Sequence, residues 1–152
     1  MPATQGFAEE LEWYLFKNID MEDFTGPGSD FYSSASDGVL YIRLFTASPT
    51  ADGDYTDEAT FTGYAAQSIA RNTGFTTIQG GGVKNTYAIT FPECTGGSET
   101  ITHVAVCRTA TGVTATDMIA YSALDTPTAI SSGSILEFAV GSLDITIGYQ
   151  IM

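Results

Sequence analysis

Basic residues are what this sequence most lacks. Five Lys and Arg stand against 18 Asp and Glu in 152 residues, a formal net charge of -13. Binding to nucleic acid or to an anionic membrane draws on clustered Lys and Arg that displace counterions. Here Lys17, Arg43, Arg71, Lys84 and Arg108 are scattered, so neither nucleic acid nor a membrane is expected as a partner. Charged residues altogether make up 15%, against about 25% in an average soluble domain. A tight partner must therefore be met through apolar patches or through a basic surface of its own.

Cysteine and histidine are scarce as well. Cys94 and Cys107 are too few for a disulfide framework and wrongly spaced for a zinc knuckle, and read as buried thiols. His103, the only histidine, lies between Thr102 and Val104 in a strand pattern and reads as structural. There is no Gly-x-Ser-x-Gly elbow, zinc-binding His pair or dinucleotide fingerprint, and Gly80-Gly81-Gly82 lacks the helix and lysine of a phosphate loop. No catalytic residue, cofactor or metal site is expected. No apolar run reaches the ~20 residues of a membrane span, and the N-terminus carries acids where a secretion signal carries bases.

What the sequence does have is alternation. Val39-Leu40-Tyr41-Ile42-Arg43-Leu44-Phe45 is apolar or aromatic except at Arg43, with Asp37-Gly38 before it and Ser48-Pro49 after it as turn signals. Leu40, Ile42 and Leu44 share one face; Tyr41, Arg43 and Phe45 share the other, which is apolar enough to be covered too. Shorter strands are expected at 64–71 and 75–79. Another is expected over 86–91, with Tyr87, Ile89 and Phe91 facing the core, and further ones at 101–107 and 118–124. Leu136, Phe138 and Val140 then alternate with polar or small residues, as do Leu143, Ile145 and Ile147 with Asp144 and Thr146. The parity of the apolar positions changes across Gly141-Ser142, and a bulged, bent strand is favoured there over a hairpin.

Thr4 to Lys17 is the one good helix. Phe7, Leu11, Tyr14 and Leu15 form its stripe, Thr4 can cap it, and the charges of Glu9, Glu10, Glu12 and Lys17 suit its dipole. Trp13 and Phe16 widen the stripe beyond a single core contact. Residues 18–38 show no period and read as an arm or functional loop. Residues 48–60 form an acidic loop with Asp52, Asp54, Asp57 and Glu58. Its spacing fails the EF-hand pattern, so a solvated loop is expected in place of a calcium site.

About eight strands at short spacings with no βα alternation imply an all-β fold: an antiparallel β-sandwich, jelly-roll or immunoglobulin-like, with one N-terminal helix. The chain is expected to be a single structural domain, residues 1–38 carrying the helix and arm and residues 39–152 the sandwich. Trp13, Phe16, Tyr41, Arg43 and Phe45 exceed what one small domain can cover, and are the candidate interface residues of a homo-oligomer. Closed cyclic symmetry would bury them, with association strengthening as salt screens the repulsion of acidic copies. Composition and motifs alone stop at an acidic all-β domain that binds by its surface.

The order of segments adds a resemblance. The chain carries Phe7-Ala8-Glu9-Glu10-Leu11, then Leu40 through Pro49 and Thr62-Gly63-Tyr64-Ala65-Ala66-Gln67. Ile89-Thr90-Phe91-Pro92, Thr100-Ile101-Thr102-His103 and Ala120-Tyr121-Ser122-Ala123-Leu124 follow, and the run Phe138 through Thr146 closes the series. In this order it resembles a family of small tailed-phage virion proteins, labelled tail fibre proteins and in some cases serving as capsid decoration (cement) proteins. Ser98-Glu99 stands where that family has Trp-Gly, and residues 18–36 are longer than their equivalent. The resemblance implies a non-enzymatic virion component on the particle surface, with the major capsid protein or tail proteins as partners. Decoration of the outer capsid face is the leading expectation and a tail or fibre component the alternative. Three-fold assembly follows only from the cement likeness. A carbohydrate-binding module, stacking sugars on Trp13, Tyr55 and Tyr64, is the reading from another class, and a glycosidase comes last.

Overall fold

The computed structural model describes residues 11, 13–17, 38–49, 54–77 and 82–146. The fold is all-β and sandwich-like in class. Nine strands lie among the described residues: β1 (Val39–Phe45), β2 (Gln67–Ala70), β3 (Phe75–Thr77), β4 (Val83–Asn85), β5 (Ile89–Thr90), β6 (Ser98–Cys107), β7 (Met118–Ser131), β8 (Glu137–Phe138) and β9 (Asp144–Ile145). They form a four-stranded sheet in the order β2-β1-β6-β7, a three-stranded sheet β3-β4-β9 and a pair β5-β8. The β1–β6, β6–β7, β3–β4 and β4–β9 pairings are all antiparallel. The chain packs as two compact units, one from Val39–Ile69 and Ile89–Glu137, the other including residues 70–88 and 138–146. Residues 39–152, read from the sequence as the sandwich segment, thus supply strands to both.

In the first unit, β1 is the strand that everything flanks. Leu40, Ile42 and Leu44 are buried on one face, and Arg43 and Phe45 on the other, with Tyr41 half-buried. Ile42 and Leu44 lie opposite Val106 and Val104 of β6, while Tyr41, Arg43 and Phe45 lie opposite Cys107, Ala105 and His103. Side chains opposite each other in a ladder point to the same face, so two apolar layers form on one pair of strands. His103 is therefore a strand residue, its ring Nδ1 within 2.8 Å of the Thr102 hydroxyl. Cys94 and Cys107 are free, buried thiols.

The second unit is organised by Asn85. It is 1% exposed, and its amide donates to the carbonyls of Tyr87 and Ala139 at 2.8 and 2.9 Å while accepting from the Leu143 N–H at 2.9 Å. The Gly141 N–H reaches the Asn85 carbonyl at 2.9 Å, with Gly141 at φ 74°. The change of parity at Gly141 is thus neither a bulge nor a hairpin. It is a turn wrapped around one amide, which passes the chain from β8, paired with β5, to β9, paired with β4. Val140 rides outside that turn and Tyr87 outside the one at the other end of Asn85. Both are exposed, where alternation had put them inside. Ile89, Phe91, Leu136, Leu143 and Ile145 are buried as expected, with Asp144 and Thr146 exposed; Ile147 lies outside the described residues.

Of the N-terminal helix, Leu11 and Trp13–Lys17 are described, the latter as one π-helical turn. Its carbonyl ends are satisfied by groups from the 71–75 segment, as orphaned helix-end groups must be. Arg71 Nε donates to the Leu15 carbonyl at 2.8 Å, and the Asn72 N–H to that of Phe16 at 2.8 Å. Lys17 in return donates to the Asn72 and Phe75 carbonyls. Phe16 is fully buried, edge-on to Phe75 with ring centroids 5.1 Å apart. The expected helix start at Thr4 and the arm over residues 18–37 lie outside the described residues.

These faces set a sharp contrast between neighbours. Ile145→Asp would bury an unpaired carboxylate and is expected to abolish soluble folding. Asp144 is exposed, 3.2 Å from the Lys84 ammonium, so Asp144→Asn should change stability by less than about 1 kcal/mol. Soluble yield and thermal melting of the two variants check this.

Candidate functional site

An arginine in the middle of an apolar strand has to find a carboxylate. Arg43 has a side chain 2% exposed, and its guanidinium forks onto Glu58: Nε donates to Oε1 at 2.7 Å and Nη2 to Oε2. Nη1 donates to the Gly112 carbonyl at 2.5 Å. The guanidinium carbon sits 4.3 Å from the centroid of the Tyr55 ring, a cation–π contact. Glu58 also accepts from the Tyr64 hydroxyl at 3.0 Å, and that oxygen accepts the Leu44 N–H at 3.0 Å. The charge is thus met on several sides.

Local structure brings these groups together. The end of β1 and the acidic loop are clipped by backbone bonds, Thr46 N–H to Asp57 at 2.8 Å and Ala59 N–H to Leu44 at 2.9 Å, with Phe45 bridged to Glu58. This turns Tyr55, Glu58 and Ala59 inward. Tyr55 packs with Phe45, Ala105 and Cys107, with Met118 against them. Tyr64 is held edge-on by Phe61 and stacked on Phe91. A tight turn positions it. Gly63 has φ 100°, and a Cβ there would lie 2.5 Å from the Glu93 carbonyl oxygen, so only glycine fits.

The electrostatics follow from burial. Desolvation would lower the Arg43 pKa, but the hydrogen bonds and charge of Glu58 outweigh it and leave it raised. Burial pushes the Tyr55 and Tyr64 hydroxyls and the Cys107 thiol up. These shifts keep Arg43 charged and Tyr55, Tyr64 and Cys107 neutral at neutral pH. Outside the cluster, Asp54 accepts from the Thr56 hydroxyl and N–H, and Asp117 from those of Thr114, and these bonds lower both carboxyl pKa values.

The acidic loop is therefore only partly a solvated loop. Glu58 turns inward, Asp54 and Asp57 face out, and Asp52 lies outside the described residues. No group of three or more His, Cys, Asp and Glu is placed to hold a metal among the described residues. Of the five candidate interface residues, Phe16, Arg43 and Phe45 are covered by the chain itself, and Tyr41 is half-buried. Trp13 lies in the π-helical turn, and its side chain is outside the described part. The structure joins Arg43 and Phe45 in one cluster through Tyr55. Tyr55 and Tyr64, read as possible sugar-stacking rings, have their faces packed internally. Sequence reasoning missed Asn85 and the inward, paired roles of Glu58 and Tyr64. The signal for Glu58 was Arg43 itself, because a charge on a covered face needs a partner.

Two measurements test the cluster. Glu58→Ala strands the guanidinium and should destabilise by about 3 kcal/mol, the low end for a broken buried pair because Glu58 keeps 19% of its side chain exposed. Replacing both partners, Arg43→Met with Glu58→Leu, should recover more than half of that in urea unfolding. Separately, neither Cys94 nor Cys107 should react with a thiol reagent at pH 8 in the folded protein, whereas both should react in denaturant.

Comparison with curated protein sequences found no match. The family model described as Podophage GP4 fiber I protein gp80 matches residues 32–146, most of the chain and all nine of its described strands. With its match running from before β1 to the end of β9, this chain is a component of the phage particle and belongs to the podophage GP4 fiber I protein gp80 family.

Proposed function

We propose that this protein is a non-enzymatic structural part of the virion that works in a tail fibre, as a homo-oligomer in contact with other tail proteins. The observation that carries this reading is the family match over residues 32–146, whose description is of a fibre protein. It moves the fibre role ahead of decoration of the outer capsid face, which the sequence resemblance had favoured. The internal chemistry agrees with a structural part. The most site-like constellation, Arg43 with Glu58, Tyr55 and Tyr64, faces inward and is satisfied by its own members. The net charge of -13 keeps the surface from competing for the packaged genome.

Gold-labelled antibody against the purified protein, imaged on intact particles of the phage that encodes it, tests the assignment. Label on the tail is the expected result. Label over the capsid shell would overturn the fibre role in favour of decoration, and absence of the protein from purified particles would overturn both.

A further inference from the structure

The connection between β6 and β7, residues 108–117, contains no buried residue, and Val113 within it is 69% exposed. Apolar burial therefore does little to anchor it, and polar bonds give it its shape. The Gly112 N–H donates to the Thr109 hydroxyl at 2.8 Å, and the Thr114 N–H and hydroxyl donate to Asp117 Oδ2 at 3.2 and 2.6 Å. The Asp117 N–H reaches the Thr114 carbonyl at 2.9 Å, and the Arg108 N–H closes the base on the Asp117 carbonyl at 2.7 Å. All of these bonds lie inside the connection. Among the described residues, one hydrogen bond ties its middle to the sheet, from Arg43 Nη1 to the Gly112 carbonyl at 2.5 Å. The ladder beneath it is irregular. Val106 pairs with Ala120 and Cys107 with Met118, which leaves Ile119 as a bulge residue between them.

We propose that residues 108–117 are a strap that opens as one unit while the sheet stays folded, with the bond from Arg43 to Gly112 as its latch. Opening is local because it leaves the buried charge paired. With the strap lifted, Arg43 keeps the Glu58 fork and the Tyr55 ring 4.3 Å from its guanidinium carbon, and Nη1 exchanges one carbonyl for water. No donor is stranded. A segment with few buried contacts and solvent-exposed bonds is also where the free energy of local opening is lowest. The effect is felt at the two ends of the strap. Cys107 and Met118 flank it, and both belong to the layer around Tyr55, where Cys107 Sγ lies 3.8 Å from the tyrosine hydroxyl. Lifting the strap opens this layer from the Arg43 side and makes Cys107 reachable. Cys94, whose thiol faces the Gly96 and Gly97 carbonyls, stays shut. The strap goes beyond the fibre assignment and does not depend on it.

Gly112 supplies the test. The nearest atoms to a Cβ there all belong to the strap, with the Thr109 hydroxyl oxygen at 2.2 Å and Asp117 Oδ2 at 2.3 Å. Gly112→Ala therefore displaces both acceptors and loosens the strap from within. In the wild type, the amides of Arg108, Gly112, Thr114 and Asp117 should share one protection factor, at least about tenfold below that of the β1 and β6 amides. In Gly112→Ala, strap exchange and the reaction of Cys107 with a thiol reagent should both be at least about tenfold faster, with Cys94 and the sheet amides unchanged. Wild-type strap amides that exchange only at the full protection of the sheet overturn the strap, a result that needs no variant to fold. Strap amides that exchange independently of one another overturn the single unit. Equal acceleration of Cys94 and Cys107 overturns local opening, because it reports unfolding of the whole. Faster strap exchange with Cys107 still protected overturns the strap as its cover. Arg43→Met with Glu58→Leu removes the latch, and strap exchange as slow as in the wild type would overturn the part assigned to Arg43.

Discussion

The unit built on β1 depends on one buried charge pair. A guanidinium taken out of water loses several kcal/mol of hydration, and only a close carboxylate with further hydrogen bonds offsets it. Arg43 receives the Glu58 fork, the Gly112 carbonyl and the Tyr55 ring. These come from the acidic loop and from the 108–114 connection, so satisfying one side chain gathers both onto the sheet. The pair also fixes register. A slip of one residue in β1 would turn Arg43 to the face of Leu40, Ile42 and Leu44, where it would lie among aliphatic side chains, while those three changed sides. Apolar residues alone would penalise such a slip less, since both faces of β1 are covered.

Sequence periodicity was informative where strands are long or where one face is wet. β1 and β6 were legible from β-branched and aromatic runs, and β9 from Leu143 and Ile145 flanking Asp144. It failed where turn hydrogen bonds decide the fold over two or three residues. Tyr87 and Val140 hold core positions in an alternating pattern, yet the bonds of Asn85 to the 87, 139 and 143 backbones bend the chain away on both sides. A buried asparagine that organises two turns leaves no periodic trace. β7 was read too short for a related reason. Pro127 and Asp125 look like the end of a strand, whereas an edge strand tolerates both, because one side of it has no ladder to break.

The Arg43 cluster was half legible. Its arginine stood out in the key strand and was assigned to an interface, together with the aromatic residues that exceed what one small domain can cover. Glu58 is 15 residues on, in a stretch whose acids read as solvated. What singles it out is contact with β1, and that contact is made by the backbone through Thr46, Ala59 and the Phe45–Glu58 bridge. Burial of Phe16, Arg43 and Phe45 within the chain also removes much of the apolar surplus from which self-association was first inferred.

What remains exposed is therefore of another kind: a hydrogen-bonding edge in place of an aromatic patch. The acidity of the chain acts on that edge in two ways. At distances within about 8 to 10 Å, the Debye length in ordinary salt, copies repel each other in nearly every orientation. Such repulsion opposes the open-ended strand addition to which a free edge is prone. It is weakest where charge is sparse, and β7, the longest described strand, carries a single carboxylate. The edge of β7 is further broken by two register shifts against β6, one leaving Ile119 unpaired and one spanning Leu124 to Pro127, and such bulges hinder strand addition.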